Sequence, residues 1–313
     1  VRVVTRVVTL GETMALARTT EIGSLRHASG LALGIGGAES NVAVGLRRLG
    51  IETSWLGRVG DDPLGERIAR ELRGEGLDVR AVVDTAAATG LMIKERPSAA
   101  STAVHYYRRG SAGSRLSAAD VPDGWIEDAA LLHVTGITPL LSDTARSAVL
   151  AVVERARAAG VPVSFDINYR SALASPEVAG PVLREIAERA TLVFGGIEEL
   201  DLLGPDATTS LLVTGVAQVI VKRGPDGAAV FTPDGTTEAF GFPIEPLDTV
   251  GAGDAFVAGY LSAWLESLSS ADALVRGNAC GAMACLVPGD WEAAPTRRDL
   301  ERFLAGGGDP VRR

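Results

Sequence analysis

The chain has 313 residues, 46% of them hydrophobic and 22% charged, which suits one large α/β unit and excludes a disordered chain. Its formal net charge of −9 argues against nucleic acid or an anionic membrane surface as the main partner, though a local basic pocket could still hold phosphate. Lys94 and Lys222 are the only two lysines, so each is worth locating. Cys280 and Cys285 are five apart, a spacing that makes neither a zinc knuckle nor an easy disulfide, and they are expected to be core thiols. The N-terminal residues lead straight into a strand-like segment without a leader pattern, and no apolar run is long enough to cross a bilayer. The expectation is a cytoplasmic protein with no membrane partner.

Val3–Leu10 is rich in β-branched residues and ends at Gly11-Glu12, as a buried first strand would. Thr13–Leu33 is polar and broken by Gly23 and Gly30, which predicts short strands outside the main sheet. Gly36-Gly37-Ala38-Glu39-Ser40-Asn41 then opens a helix that runs through Leu49 and stops at Gly50. Glu39 stands where a dinucleotide fingerprint needs glycine, so that reading fails. The paired glycines let a small polar ligand approach the backbone beside Asn41, and a plain capped turn is the alternative. Trp55–Gly60 predicts a strand, and Asp61-Asp62-Pro63 a helix start.

Leu91–Arg109 returns to strand alternation and ends in Tyr106-Tyr107-Arg108-Arg109. Aromatic rings with guanidinium groups suit a carboxylated ligand, while the competing reading is a charged edge strand. From Ala129 onward strands and helices alternate regularly. Strands are expected at 131–134, 161–165, 191–194 and 219–221, helices at 142–159 and 179–188, and an acidic turn at Glu198-Glu199. Polar groups collect just past these strands, as at the ligand-binding edge of a parallel sheet. His133 reads as a packed histidine, and His27 and His105 have no metal spacing.

Asp248-Thr249-Val250-Gly251-Ala252-Gly253-Asp254 is a glycine turn feeding an Ala-rich helix expected over 255–268. Free amides at a helix start bind anions, and a carboxylate placed there is explained if it takes a proton from an attacking hydroxyl. On this stretch alone, an Asp that merely caps the helix explains the residues equally well. Further helices are expected at 271–286 and 296–304, followed by a Gly-rich tail. Neither lysine fits a Walker A loop, and no Gly-x-Ser-x-Gly elbow is present.

The segment Gly36–Gly65 resembles the N-terminal signature of the ribokinase-like (PfkB) sugar kinases, and DTVGAGDAFVAG at 248–259 resembles their more specific C-terminal signature. The resemblance covers nearly the whole chain. It implies a single domain over 1–313: a three-layer α/β/α sandwich with a mostly parallel sheet and a small β lid from about 13–33 and 90–109. Within the family the chain most resembles kinases of 2-keto-3-deoxygluconate, through GGAE at 36–39, YYRxGSA at 106–112, DxNYR at 166–170 and GDxE at 289–292.

What the resemblance implies is ATP-dependent phosphorylation of that sugar acid to its 6-phosphate. Asp254 would be the general base and the amides of Gly251, Ala252 and Gly253 the anion hole. Gly37, Asn41, Tyr106, Arg108, Arg170 and Asp290 would bind the sugar. Asn168, Arg170, Lys222, Gly224, Asp226, Gly227, Gly251, Gly253 and Asn278 would serve the nucleotide. Glu199 would reach Mg2+ only through water, because Gly196 breaks the family's Asn-x-x-Glu motif. Met92 stands where these kinases often carry an aromatic residue, which opens the choice of substrate. The resemblance leaves room for a monovalent cation such as K+ and implies a homo-oligomer paired through the lid, with no nucleic-acid partner. The alternatives are a kinase for a neutral sugar such as fructose or ribose, a nucleoside kinase, and a non-catalytic sugar- or nucleotide-binding regulator.

Overall fold

The computed structural model describes residues 6–98 and 101–306. The expected strand start at 3–5 and the Gly-rich end from 307 lie outside the described residues. In chain order the strands are β1 (Arg6–Leu10), β2 (Met14–Thr19), β3 (Leu31–Gly36), β4 (Glu52–Gly60), β5 (Asp78–Asp84), β6 (Leu91–Ser98), β7 (Ser101–Tyr107), β8 (Leu131–Thr135), β9 (Val163–Asp166), β10 (Leu192–Gly196), β11 (Gln218–Lys222), β12 (Ala228–Thr232) and β13 (Gly235–Ala239). The helices are α1 (Ala38–Arg48), α2 (Pro63–Gly74), α3 (Asp143–Ala158), α4 (Pro176–Ala187), α5 (Ile197–Asp201), α6 (Ala207–Val213), α7 (Ala252–Leu265), α8 (Ser270–Ala284) and α9 (Arg297–Leu304).

The main sheet has the order β13-β12-β11-β10-β9-β8-β1-β4-β5. It is parallel from β11 to β5, and β12 and β13 add an antiparallel edge. The chain runs outward from β1 to β5, then returns to β8 on the other side of β1. This reversal opens a crevice at the carboxyl ends of the central strands, where open α/β sheets bind ligands.

Strand alternation sorts the core into two layers. Val8, Val193 and Val219 face α3, α4 and α6. Val7, Phe194 and Ile220 face α1, α7 and α8. α7 is buried from Asp254 to Ala263. Gly45 of α1 meets it closely, since a Cβ there would lie 2.6 Å from the Ala258 Cβ. That close approach brings the start of α1 to the start of α7.

The chain leaves the main sheet after β1 and after β5 to build a second, four-stranded sheet of order β3-β2-β6-β7. Its strands occupy the two stretches that break the main alternation, so the fold is the α/β sandwich with a β lid. Two local readings need correction. α7 begins at Ala252, one turn earlier than expected, because Gly251 at φ +79° lets the helix start directly from the turn. The acidic turn is the short helix α5, where the Glu199 side chain accepts from the Gly196 N–H at 2.8 Å. Among the described residues no helix is long and apolar enough to cross a membrane.

Candidate active site

The turn before α7 is built so that only glycine fits at its apex. A Cβ on Gly251 would lie 1.8 Å from the Asp290 carbonyl oxygen. The amides of Gly251, Gly253 and Asp254 have no acceptor among the described residues, whereas the Ala252 N–H is 3.3 Å from Thr249 O. The free donors are therefore Gly251, Gly253 and Asp254 rather than Gly251, Ala252 and Gly253. They point out of the start of a long helix, an arrangement that favours anions.

Asp254 lies in the first turn of α7 and is 8% exposed. Its Oδ2 accepts from Asn41 Nδ2 at 2.7 Å. Asn168 Nδ2 lies 3.5 Å from its Oδ1. Burial pushes the Asp254 carboxyl up to about 7; the nearby Asp166 charge also raises it, while the Asn41 hydrogen bond, Arg170 and Lys222 hold it down. A carboxylate in that range can accept a proton near neutral pH.

On one side of the turn, Gly251 and Asp254 line a cavity of about 70 Å³. Gly36 and Gly37 form its floor: a Cβ on Gly36 would lie 2.5 Å from Asp290 Oδ2 and from Met92 Cε, and one on Gly37 would lie 2.4 Å from Glu12 O. The Gly37 N–H donates to Asn41 Oδ1 at 3.4 Å. Tyr106 and Arg108 close the cavity from the lid, with the guanidinium 5.7 Å from the ring centroid. Arg108 is not the free cation its position in the sequence suggests. Glu12, 3% exposed, accepts from its Nε at 2.7 Å and from the Ser111 hydroxyl. Arg170 is exposed, lines the same cavity, and has no side-chain hydrogen-bond partner among the described residues.

On the other side, Ala252 and Gly253 line a cavity of about 520 Å³ with Phe242, Pro246, Phe256 and Asn278. Its apolar walls suit a flat ring, and Lys222 at one end suits phosphate. Lys222 Nζ sits 2.7 and 2.9 Å from the two oxygens of Asp166. Burial pushes the Asp166 carboxyl up, Lys222 pulls it down, and the Glu199 charge raises it again. Gly224 and Gly227 line this cavity, but Asp226 is exposed in the short turn between them and does not. Asn278 lines it while its Nδ2 donates to Ala239 O and Phe240 O, each at 3.1 Å, and so fixes the wall. Cys280 and Cys285 are free and buried, and Cys285 also faces this cavity.

His133 is fully buried with Nδ1 3.0 Å from Ser164 Oγ, and burial pushes its imidazole down to about 3. Among the described residues no group of three or more His, Cys, Asp or Glu could cage a metal ion. Glu199 Oε1 accepts from the Tyr169 N–H at 2.9 Å and Oε2 from the Gly196 N–H, so its oxygens are held in place. Each keeps a lone pair for water, which fits an outer-sphere role toward Mg2+.

Sequence reasoning missed Glu12, Lys94, Asp166 and Asp248. Lys94 of β6 is 2.6 Å from Asp248 Oδ2 and 3.3 Å from Asp290 Oδ1. Its rarity was a usable signal, whereas its partners Asp248 and Asp290 stand far downstream along the chain, where no local pattern links them to it.

A family profile described as pfkB family carbohydrate kinase matches residues 4–297. A 2-dehydro-3-deoxygluconokinase of Bacillus subtilis is 41% identical over 95% of this chain and 95% of its own length. A 2-dehydro-3-deoxygalactonokinase of Haloferax volcanii is 34% identical over 96% of each chain. Among solved structures, a putative ribokinase II from E. coli in complex with ATP and Mg2+ superposes with a TM-score of 0.89 at 26% identity, over 96% of this chain and 99% of that one.

Proposed function

The chain belongs to the PfkB family of carbohydrate kinases, and from that premise we propose that it transfers the γ-phosphoryl group of ATP to the terminal hydroxyl of 2-keto-3-deoxygluconate. The observation that carries the reading is the position of Asp254. It is a buried carboxyl of raised pKa on a turn whose two sides line two different cavities. The small cavity takes the sugar and the large apolar one the nucleotide.

The Asp254 carboxylate accepts the proton of the sugar hydroxyl as its oxygen bonds to the γ-phosphorus. The bond from that phosphorus to the bridging oxygen breaks, and ADP leaves. The free amides of Gly251, Gly253 and Asp254 stabilise charge developing on the transferred group. Asn41 orients the base, and Lys222 meets the phosphates from the nucleotide side. Mg2+ bound with ATP supplies further charge neutralisation, with Glu199 and Asp166 as the carboxylates that would hold it through water. Exposed Leu31, Leu33 and Tyr107 on the lid strands support pairing of lids between two copies of the chain.

The test is a coupled ADP assay with 2-keto-3-deoxygluconate, its galactonate epimer, gluconate, fructose and ribose. The keto-deoxy acids are expected to give the highest kcat/KM, with Asp254→Ala lowering turnover at least ~10²-fold, a general-base magnitude. Preference for fructose or ribose would overturn the substrate, and near-normal turnover by Asp254→Ala would overturn the mechanism. The galactonate epimer is included because the Haloferax relative carries that activity in its name.

A further inference from the structure

Lys94 stands on β6 of the lid, yet its side chain is only 5% exposed. Its ammonium reaches off the lid to Asp248 Oδ2 at 2.6 Å, Asp290 Oδ1 at 3.3 Å and Gly289 O at 3.3 Å. These partners belong to the two segments that build the catalytic turn. Asp248 opens the turn, where its Oδ1 accepts from the Val250 N–H at 3.2 Å. Its Oδ2 also accepts from the Gly289 N–H at 3.3 Å. Asp290 packs its carbonyl against Gly251 and sets its carboxylate over Gly36, inside the small cavity.

We infer that Lys94 is a positioning residue: one lid ammonium fixes both the anion-binding turn, through Asp248, and the sugar-facing carboxylate Asp290. Docking of the lid and assembly of the site are then one event. The inference rests on the reading of the small cavity as the sugar site.

The charges support this division of labour. Asp290 is faced by Lys94 from β6, by Asp248 from the turn and by Glu292 from its own loop. Burial and the two acids push its carboxyl up, and Lys94 alone among these groups holds it down. Lys94 therefore keeps Asp290 an acceptor for a sugar hydroxyl. A second lid residue, Arg18, grips the same loop by donating to Pro288 O at 2.8 Å, but it does not touch Asp290.

The test is Lys94→Met, which keeps the stem and removes the charge, assayed with whichever sugar the wild type turns over best. The sugar kcat/KM is expected to fall about tenfold or more, the scale of a buried hydrogen bond between charged groups, while the KM for ATP moves less than about threefold. The pH profile of the sugar kcat/KM gains an acid-side ionisation as Asp290 loses its counter-ion. Ethylammonium restores part of the activity of Lys94→Ala.

Unpaired carboxylates in the core can prevent folding, so Lys94→Met/Asp248→Asn is made alongside. It relieves the excess charge but still leaves Asp290 without its cation, so the sugar defect persists. Wild-type sugar kinetics in Lys94→Met, or their return in the double variant, would overturn the inference. Sugar binding is followed by calorimetry in parallel. A wild type that binds sugar without turnover sinks the kinase reading alone, and a Lys94→Met protein that binds sugar as tightly as wild type sinks this one.

Discussion

Asn41→Leu isolates the hydrogen bond that holds the base. Asn41 Nδ2 donates to Asp254 Oδ2 at 2.7 Å in a buried site, and among the groups acting on Asp254 it is the strongest that favours the ionised form. A hydrogen bond to a charged group contributes about 1.5–3 kcal/mol, and at 1.36 kcal/mol per unit its loss raises the carboxyl by about 1–2 units. Starting from about 7, the acid limb of kcat moves into the range of about 8–9. The base acts ionised, so activity falls as pH drops through this value. At pH 7.5 the variant retains roughly 3–25% of its carboxylate, and turnover recovers toward pH 9.5. The assay is kcat against pH at saturating sugar and ATP, each re-saturated because Asn41 also lines the sugar cavity. An acid limb that stays at its wild-type position, or moves down, would refute Asp254 as the ionising base.

Other perturbations read the same site from different sides. Asp254 has a raised folded pKa, so its favourable contribution is complete below the unfolded value near 3.8 and is lost as pH rises through about 7. Asp254→Asn should therefore be inactive yet more stable than wild type at pH 8, by up to about 4 kcal/mol, and no more stable at pH 4, as measured by urea unfolding. Lys222→Met strands the buried Asp166 carboxylate and should cost about 3–5 kcal/mol of stability. Adding Asp166→Asn should restore the melting temperature but not the KM for ATP. Gly251→Ala must move the turn off Asp290 and forces a left-handed φ on alanine, at about 1–2 kcal/mol before the clash is counted. Its kcat should fall by more than about tenfold with the nucleotide cavity intact. Arg170→Met should raise the KM of a keto-deoxy acid far more than that of a neutral sugar, and equal effects on both would assign Arg170 to phosphate alone.

The fold was legible where one periodicity ran long enough. The helix at 143–158 begins after the N-cap Ser142, whose hydroxyl accepts from the Ala145 N–H, and the expected span of 142–159 differs from it by one residue at each end. The hairpin of β12 and β13 was not, because Ala228–Thr232 and Gly235–Ala239 lack the apolar alternation of a half-buried strand. In the site, glycines and Asp254 were legible because turns and anion-binding helix starts have local signatures. Glu12 and Asp166 were not, because their roles come from partners elsewhere: Arg108 is 96 residues from Glu12, and Lys222 is 56 residues from Asp166.

Those hidden partners change how acid recognition must work. Arg108 is the cation a sequence reader would give to the substrate carboxylate, but Glu12 already holds it. Lys94 is shared by Asp248 and Asp290. Glu12 cancels Arg108, and Asp248 and Asp290 together outnumber Lys94, so a carboxylate brought in against these buried groups would gain little. Arg170 is different, because it is exposed at the cavity edge without a carboxylate bonded to it. An exposed guanidinium is cheap to keep charged, and it can fork onto a carboxylate once the lid shields the contact from water. On this arrangement we propose that Arg108 shapes the cavity with Tyr106 and that Arg170 distinguishes an acid from a neutral sugar.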